Sequence, residues 1–311
     1  MEEKLIIRLS NNLGNQMFMY AAAYAASKKM NRTLYYDRIS SYSSYKNISK
    51  FALDGFNLFE KEAENKFIFE GTAGYFKRKL LKKIDKIISK KKFILENKDK
   101  NKATYYNHKF LNENYASTAY MEGYYESEKY FISYRDEIKK QFTPKKYLNY
   151  KNNKYFRNIL NTESVSLCVR QNRFLEKYGK VTKEDQINSD KFVSDQLDFI
   201  NKAITYFKTK IKNPFFYLWS NDILNLRNKI QLDNVIFINN DSIKDETEKI
   251  HCDLFLMSNC KHFAVIPSAF NWWGCWLSDH KNSIILRPNN KHFSNLDIKN
   301  KDYWPLKWNE I

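Results

Sequence analysis

The chain has 311 residues, with 53 Lys and Arg against 35 Asp and Glu, a formal net charge of +18, and 43% apolar and 16% aromatic residues. That length suits two domains of ordinary size, and the aliphatic and aromatic content excludes a disordered chain. Seven Gly and five Pro exclude collagen-like and linker-rich architectures.

The four cysteines, Cys168, Cys252, Cys260 and Cys275, show no C-x-x-C pair and no zinc-type spacing. They read as reduced thiols of a cytoplasmic protein. Met1-Glu2-Glu3-Lys4 leads straight into an apolar segment, unlike a signal peptide. No apolar run approaches the roughly 20 residues that span a bilayer.

In chain order, residues 5–9 read as a strand, 10–15 as a turn and 16–30 as a helix whose alanines (Ala21, Ala22, Ala23, Ala25, Ala26) suit close packing on a sheet. Residues 34–37 form a second strand candidate, 38–75 look loop-rich, and a basic, helical region is expected as far as 155. Short apolar runs at 164–169, 215–219, 235–238, 263–266 and 284–286 then read as buried parallel strands. Helical patterns at 192–210 and 246–258 separate them. This alternation predicts an open α/β sheet that binds ligands at the carboxyl ends of its strands. The change of rhythm divides the chain into domains 1–155 and 156–311.

Charge is uneven. Residues 1–155 hold 31 basic and 17 acidic side chains, residues 156–311 only 22 and 18. Residues 77–92 carry nine basic residues and one acid, with Leu80, Ile84, Ile87 and Ile88 at the spacing of one helical face. A basic amphipathic helix can lie on an anionic membrane, and Lys82, Lys83, Lys90 and Lys91 are the surface candidates. A domain helix with its lysines in water is the alternative. Nucleic acid is the weaker partner, since no zinc-finger spacing, RNP-type motif or helix-turn-helix accompanies the charge.

Three segments carry residue types suited to chemistry. Gly14, Asn15 and Gln16 fall where a first strand turns into a helix, whose exposed amides suit phosphate or a sugar hydroxyl. Arg170 and Arg173 follow the strand at 164–169, placing guanidinium forks where a diphosphate could sit. Ser268, Ala269 and Phe270 follow the strand at 263–266 and open a helix, again with amides for phosphate, while Trp272, Trp273 and Trp276 read as core. The same segments also suit an ordinary βα turn and surface salt bridges. No metal-type histidine pair, Asp-x-Asp triplet, G-x-S-x-G elbow or kinase signature occurs. Phosphate chemistry here is therefore expected to run on arginines and helix ends, with no metal and no cofactor.

Taken in order, these segments resemble the bacterial α-1,2-fucosyltransferases of glycosyltransferase family 11. Leu13-Gly14-Asn15-Gln16-Met17-Phe18 with Tyr20-Ala21 matches that family's G-L-G-N-Q-M-F-x-Y-A opening. Gly123 to Phe131 is similar to its G-Y-[WF]-Q-S-E-K-Y-F segment, and Ser220-Asn221-Asp222 stands where S-D-D is usual. Leu256-Met257-Ser258, Cys260-Lys261-His262 and Ser268 to Gly274 match two further motifs. One departure is large. The H-x-R-R-x-D donor signature aligns with Cys168-Val169-Arg170-Gln171-Asn172-Arg173, so only the first arginine is kept. Arg173 could return the missing charge if the loop curls back.

The resemblance implies a GT-B enzyme, two Rossmann-like domains facing a donor cleft, with an acceptor-side N-terminal domain and a nucleotide-sugar-binding C-terminal one. It implies inverting, metal-independent transfer from GDP-β-L-fucose to a galactose-type hydroxyl of an oligosaccharide or lipid-linked surface glycan. The altered signature keeps another GDP-sugar, such as GDP-colitose, open as donor. Arg170 would be the catalytic residue. Gly14, Asn15, Arg173, Asp222, Ser268, Ala269 and Phe270 would complete the donor site. The competing class is a non-enzymatic basic protein that binds nucleic acid or membrane through residues 77–92.

Overall fold

A computed structural model describes residues 2–43, 49–97, 105–227, 229–230, 232–289, 293 and 302–311. The chain divides into two compact units, Met1–Thr143 with Lys299–Pro305, and Pro144–Ile298 with Leu306–Ile311.

The first unit contains β1 (Lys4–Arg8), α1 (Leu13–Lys29), β2 (Thr33–Asp37), β3 (Lys61–Glu62), α2 (Gly71–Ile84), β4 (Lys91–Leu95), β5 (Tyr115–Glu122) and α3 (Arg135–Gln141). Its strands pair in parallel in the order β3-β2-β1-β5-β4. β1 lies in the middle of that sheet because Leu5, Ile6 and Ile7 are all apolar and fully buried. α1 is buried along most of its length and reads apolar all round, as a core helix does. Tyr20 anchors it by donating its hydroxyl to the Gln141 Oε1 of α3.

Two expectations fail in this unit. The region up to 155 is not simply helical, because β4 and β5 lie inside it and β5 pairs directly with β1. The amphipathic helix at 77–92 also stops early. α2 ends at Ile84, and the buried carboxylate of Asp85 accepts the backbone N–H groups of Lys92 and, at 3.1 Å, Phe93. That clamp folds the chain back so that Lys91 lies on β4. Lys82, together with Arg78, is paired to Glu122, and Lys91 to Glu113, leaving Lys83 and Lys90 as the exposed members of the four candidates with no ion pair among the described residues.

The second unit contains α4 (Tyr147–Tyr150), α5 (Phe156–Asn161), β6 (Glu163–Val169), α6 (Lys183–Lys210), β7 (Pro214–Ser220), α7 (Leu224–Arg227), β8 (Val235–Phe237), α8 (Glu246–Ser258), β9 (His262–Ala264), α9 (Ala269–Trp276), β10 (Ile285–Arg287) and β11 (Asn309–Glu310). The boundary expected at 155/156 falls within this unit. Tyr150 of α4 and Phe156 of α5 both lie against Phe255 of α8, at centroid distances of 5.9 and 5.4 Å. α8 and α9 approach so closely that a Cβ on Gly274 would lie 2.2 Å from Met257 Sδ. The tryptophans are core, as expected: Trp272 and Trp273 are fully buried, and Trp272 stacks on Trp276 and meets Trp308 at 5.5 Å.

The sheet order is β11-β10-β9-β6-β7-β8, with all pairs parallel. β6, β7 and β8 run outward in one direction, and β9, β10 and β11 in the other. This is the Rossmann pattern, and its topological switch lies between β6 and β9. The expected fold class, α/β with two Rossmann-like domains, is what the two sheets show.

Candidate active site

Arg170 is the first residue after β6, at the switch point where open α/β sheets receive ligands. Its backbone is gripped by Gln196 of α6, which accepts the Arg170 N–H at 2.8 Å and donates to its carbonyl at 2.9 Å. Gln196 is completely buried and occupies a position in the apolar stripe of α6 that otherwise holds Phe192, Phe199, Ile200 and Ala203. Polarity there is explained by the strand end it holds.

Gln171 is gripped in the same way. Asn221 accepts its N–H at 2.8 Å and donates to its carbonyl at 3.0 Å, tying the end of β6 to the turn after β7. The Gln171 side chain is buried and donates to Ser220 Oγ and to the Asp222 carbonyl. The position that carries the family's second arginine is thus a neutral brace between two strand ends.

The chain then reverses at Asn172, whose φ is +58°. Its carbonyl accepts the N–H groups of Leu175 and Glu176, and this turn brings Glu176 into an ion pair with the Arg170 guanidinium. The Arg170 Nε is buried with no hydrogen-bond partner among the described residues. Arg173 follows that turn toward the end of β9. Its guanidinium lies 5.3 Å from the Phe192 ring centroid and donates to the Pro267 carbonyl at 3.1 Å.

Pro267 belongs to the turn after β9. There Asn271 accepts the Ile266 N–H at 2.7 Å, holding the strand end to α9. Ser268 is the N-cap residue, and its carbonyl accepts the Trp272 N–H at 2.9 Å. Ala269 and Phe270 form the half-buried first turn, at the positive end of the helix dipole where backbone amides have no partner within the helix. The structure therefore brings Arg170, Arg173 and Ser268 to Phe270 together at one switch point. Two guanidinium forks and a helix N-terminus suit a diphosphate. Asp222 reaches the end of β6 only through its backbone carbonyl, which accepts from Gln171, while its carboxylate is bound by the Asn225 backbone and side chain in the turn that opens α7. Cys168, where the family signature has histidine, is buried, and burial raises its thiol pKa to about 12. Among the described residues, no group of three His, Cys, Asp or Glu side chains is arranged to hold a metal ion.

Gly14 and Asn15 lie in the first turn of α1, at the carboxyl end of β1 in the first unit. Gly14 is buried, and Asn15 donates to Glu126 at 2.9 Å. Gln16 fixes the preceding loop, donating to the carbonyls of Asn11 and Lys50 at 2.7 Å and accepting the Ala52 N–H at 2.9 Å. The Gly123–Tyr125 segment is held by Glu96, which accepts the N–H groups of Tyr124 and Tyr125. Gly123 has φ +151°, and a Cβ there would strike the Glu96 side chain at 2.3 Å.

Arg8, the last residue of β1, is the functional candidate that sequence patterning missed. It pairs in register with Asp37 on β2, while Glu122, at the end of β5, lies beyond the Ile7–Met121 pair on its other side. Both carboxylates are engaged elsewhere, Asp37 by the N–H groups of Ile39 and Ser40 and Glu122 by Arg78 and Lys82. Arg8 makes no ion pair among the described residues, and its Nε is buried without a hydrogen-bond partner. Burial, and then the neighbouring Arg78, lower its pKa.

Solved structures show the same architecture. The NodZ α-1,6-fucosyltransferase co-crystallised with GDP matches with a TM-score of 0.54 over 89% of this chain and 93% of its own, at 13% identity. A mutant of Arabidopsis thaliana FUT1 in complex with GDP matches with a TM-score of 0.52 over 94% and 72%, at 12% identity. The fold is that of the GT-B class of glycosyltransferases. The model of Glycosyl transferase family 11 matches residues 1–311, and the chain belongs to that family. An Escherichia coli alpha-1,2-colitosyltransferase is 27% identical over 99% of this chain and 98% of its own length. The E. coli O-antigen biosynthesis glycosyltransferase WbnK is 27% identical over 90% and 92%.

Proposed function

We propose that this glycosyltransferase moves a deoxyhexose from a GDP-sugar, with inversion, onto a galactose-type hydroxyl of a bacterial surface glycan. The observation that carries the reading is Arg170, held at the switch point by Gln196 with Arg173 and the α9 N-terminus beside the same turn. In the reaction the acceptor oxygen bonds to the anomeric carbon on the face opposite the diphosphate. The bond from that carbon to the diphosphate oxygen breaks, its electron pair leaves with GDP, and the proton of the acceptor hydroxyl passes to solvent water. Arg170 meets the charge that grows on departing GDP, the kind of stabilisation worth several kcal/mol in a dry site. Arg173 and the amides of Ala269 and Phe270 support the same phosphates, so the reaction needs no metal. Activity unchanged by EDTA supports that part, and activity abolished by EDTA and restored by a divalent cation contradicts it.

GDP-β-L-fucose is the donor implied by the sequence motifs. GDP-colitose is the second reading, favoured by Gln171 in place of the second arginine and by the similarity to a colitosyltransferase. Thermal stabilisation and turnover across a GDP-sugar panel separate the two. The acceptor falls to the first unit, where Arg8 stands ready for a charged or hydroxyl-rich group, while Gly14 and Asn15 at the same strand end keep the donor-side role that the motifs imply. Membership of a glycosyltransferase family sets aside the non-enzymatic basic protein. Four buried free cysteines support a cytoplasmic setting, and no described helix is long and apolar enough to cross a membrane.

A further inference from the structure

The outer face of α2 is the most unusual surface of the first unit. None of the fourteen residues of this helix is fully buried. Its inner side is occupied by Arg78 and Lys82, which grip Glu122, and by Gly74, which lies against the Phe69 backbone. The side opposite carries Phe76, 60% exposed, Leu80, 58% exposed, and Ile84, which are four residues apart and so form one stripe along the helix. Tyr75 flanks the stripe, its ring set edge-on to Phe76 at 5.5 Å. Just past the helix end Ile87 is 84% exposed.

Large apolar side chains in such a row are costly to leave in water and mark a surface that meets something else. The charges around them say what. Lys77, Lys79, Lys83, Lys86 and Lys90 are all exposed, and none forms an ion pair among the described residues. The one acid between residues 75 and 92, Asp85, is buried in its own backbone clamp. Apolar anchors flanked by basic residues, with no exposed acid among them, complement an anionic lipid surface, where the side chains enter the acyl boundary and the lysines meet headgroup phosphates.

We infer that α2 and the turn after it are a peripheral membrane-docking surface, seated through Phe76, Leu80, Ile84 and Ile87 on an anionic bilayer and steered by Lys79, Lys83, Lys86 and Lys90. The assignment is independent of the donor chemistry. It also differs from a simple charge run, because Lys82 and Lys91 are committed to Glu122 and Glu113 and take no part.

The test is flotation of the full-length protein with vesicles of phosphatidylglycerol and phosphatidylcholine, against vesicles of phosphatidylcholine alone. The wild-type protein floats with the anionic vesicles and is released by salt, while Phe76→Ser/Leu80→Ser and Lys79→Glu/Lys83→Glu each reduce the bound fraction about 10-fold. Neither pair is buried, so both variants keep the wild-type melting temperature. Equal flotation with neutral vesicles, or variants that float like the wild type, overturns the inference. So does a concentration-dependent dimer that Phe76→Ser/Leu80→Ser dissolves, because a second copy would then be the occupant.

Discussion

Gln196 holds Arg170 by both of its backbone polar groups, through bonds of 2.8 and 2.9 Å from a side chain that no water reaches. A catalytic guanidinium on a flexible stem gains from having its Cα fixed, since errors of about 1 Å at a reacting centre cost rate. Gln196→Leu leaves a buried N–H and carbonyl without partners, a loss of about 2–4 kcal/mol in urea unfolding. Turnover should fall more than GDP affinity does, and Gln196→Glu, which keeps an acceptor for the N–H, should recover part of it. Equal losses in the two variants would show that Gln196 matters for packing alone.

Glu176 pairs with the Arg170 guanidinium. The donor diphosphate must displace it. Both side chains are about one-third exposed, so the pair is worth no more than about 1 kcal/mol. Glu176→Gln should therefore tighten GDP binding by about threefold to fivefold in calorimetry. Weaker binding would mean that Glu176 holds the loop in its productive shape.

Arg8 stands at the end of β1 with both neighbouring carboxylates already engaged. Arg8→Gln should raise the acceptor KM about 10-fold, the worth of a charged hydrogen bond, and leave GDP affinity as it was. An unchanged acceptor KM would remove Arg8 from the site.

Asp253 sets a pH dependence. Burial raises its pKa from 3.8 to about 6, although Asn240 donates to it at 2.6 Å and Lys249 lies nearby. The folded protein therefore binds this proton more tightly than the unfolded chain does. The resulting stabilisation is complete below about pH 4 and is lost as pH rises through 6. Asp253→Asn should match the wild type at pH 4 and exceed it by about 2 kcal/mol at pH 8 in urea titrations. His262 works in the opposite sense, its pKa lowered by burial, but it is common to both proteins and cancels. A variant with the same advantage at both pH values would contradict the assignment.

Much of the second unit was legible because its central strands β6, β7 and β9 are buried on both faces and read as largely apolar runs. The helix expected at 246–258 is α8 with the same bounds. The first unit hid more. β5 reads Tyr-Ala-Ser-Thr-Ala-Tyr-Met-Glu, with no apolar run to announce it, and β4 begins with two lysines. Helical spacing continued through Ile87 and Ile88, yet Asp85 turns the chain out of the helix by accepting amides seven and eight residues ahead. At the site, Arg170 and Ser268 were visible from their places after strands. Gln196 lies 26 residues from its partner, and the trace it left was a polar residue in an apolar stripe. Arg8 left less, since a basic residue at a strand end is commonplace until its neighbours prove to be engaged.

The central claim is that Arg170 carries the charge of a departing nucleoside diphosphate. Steady-state kcat/KM for the preferred GDP-sugar, measured on wild-type protein and on Arg170→Ala with an unchanged circular dichroism spectrum, tests it most directly. The account predicts a loss of at least ~100-fold, expressed mainly in kcat. A folded Arg170→Ala enzyme with near-normal turnover would contradict it.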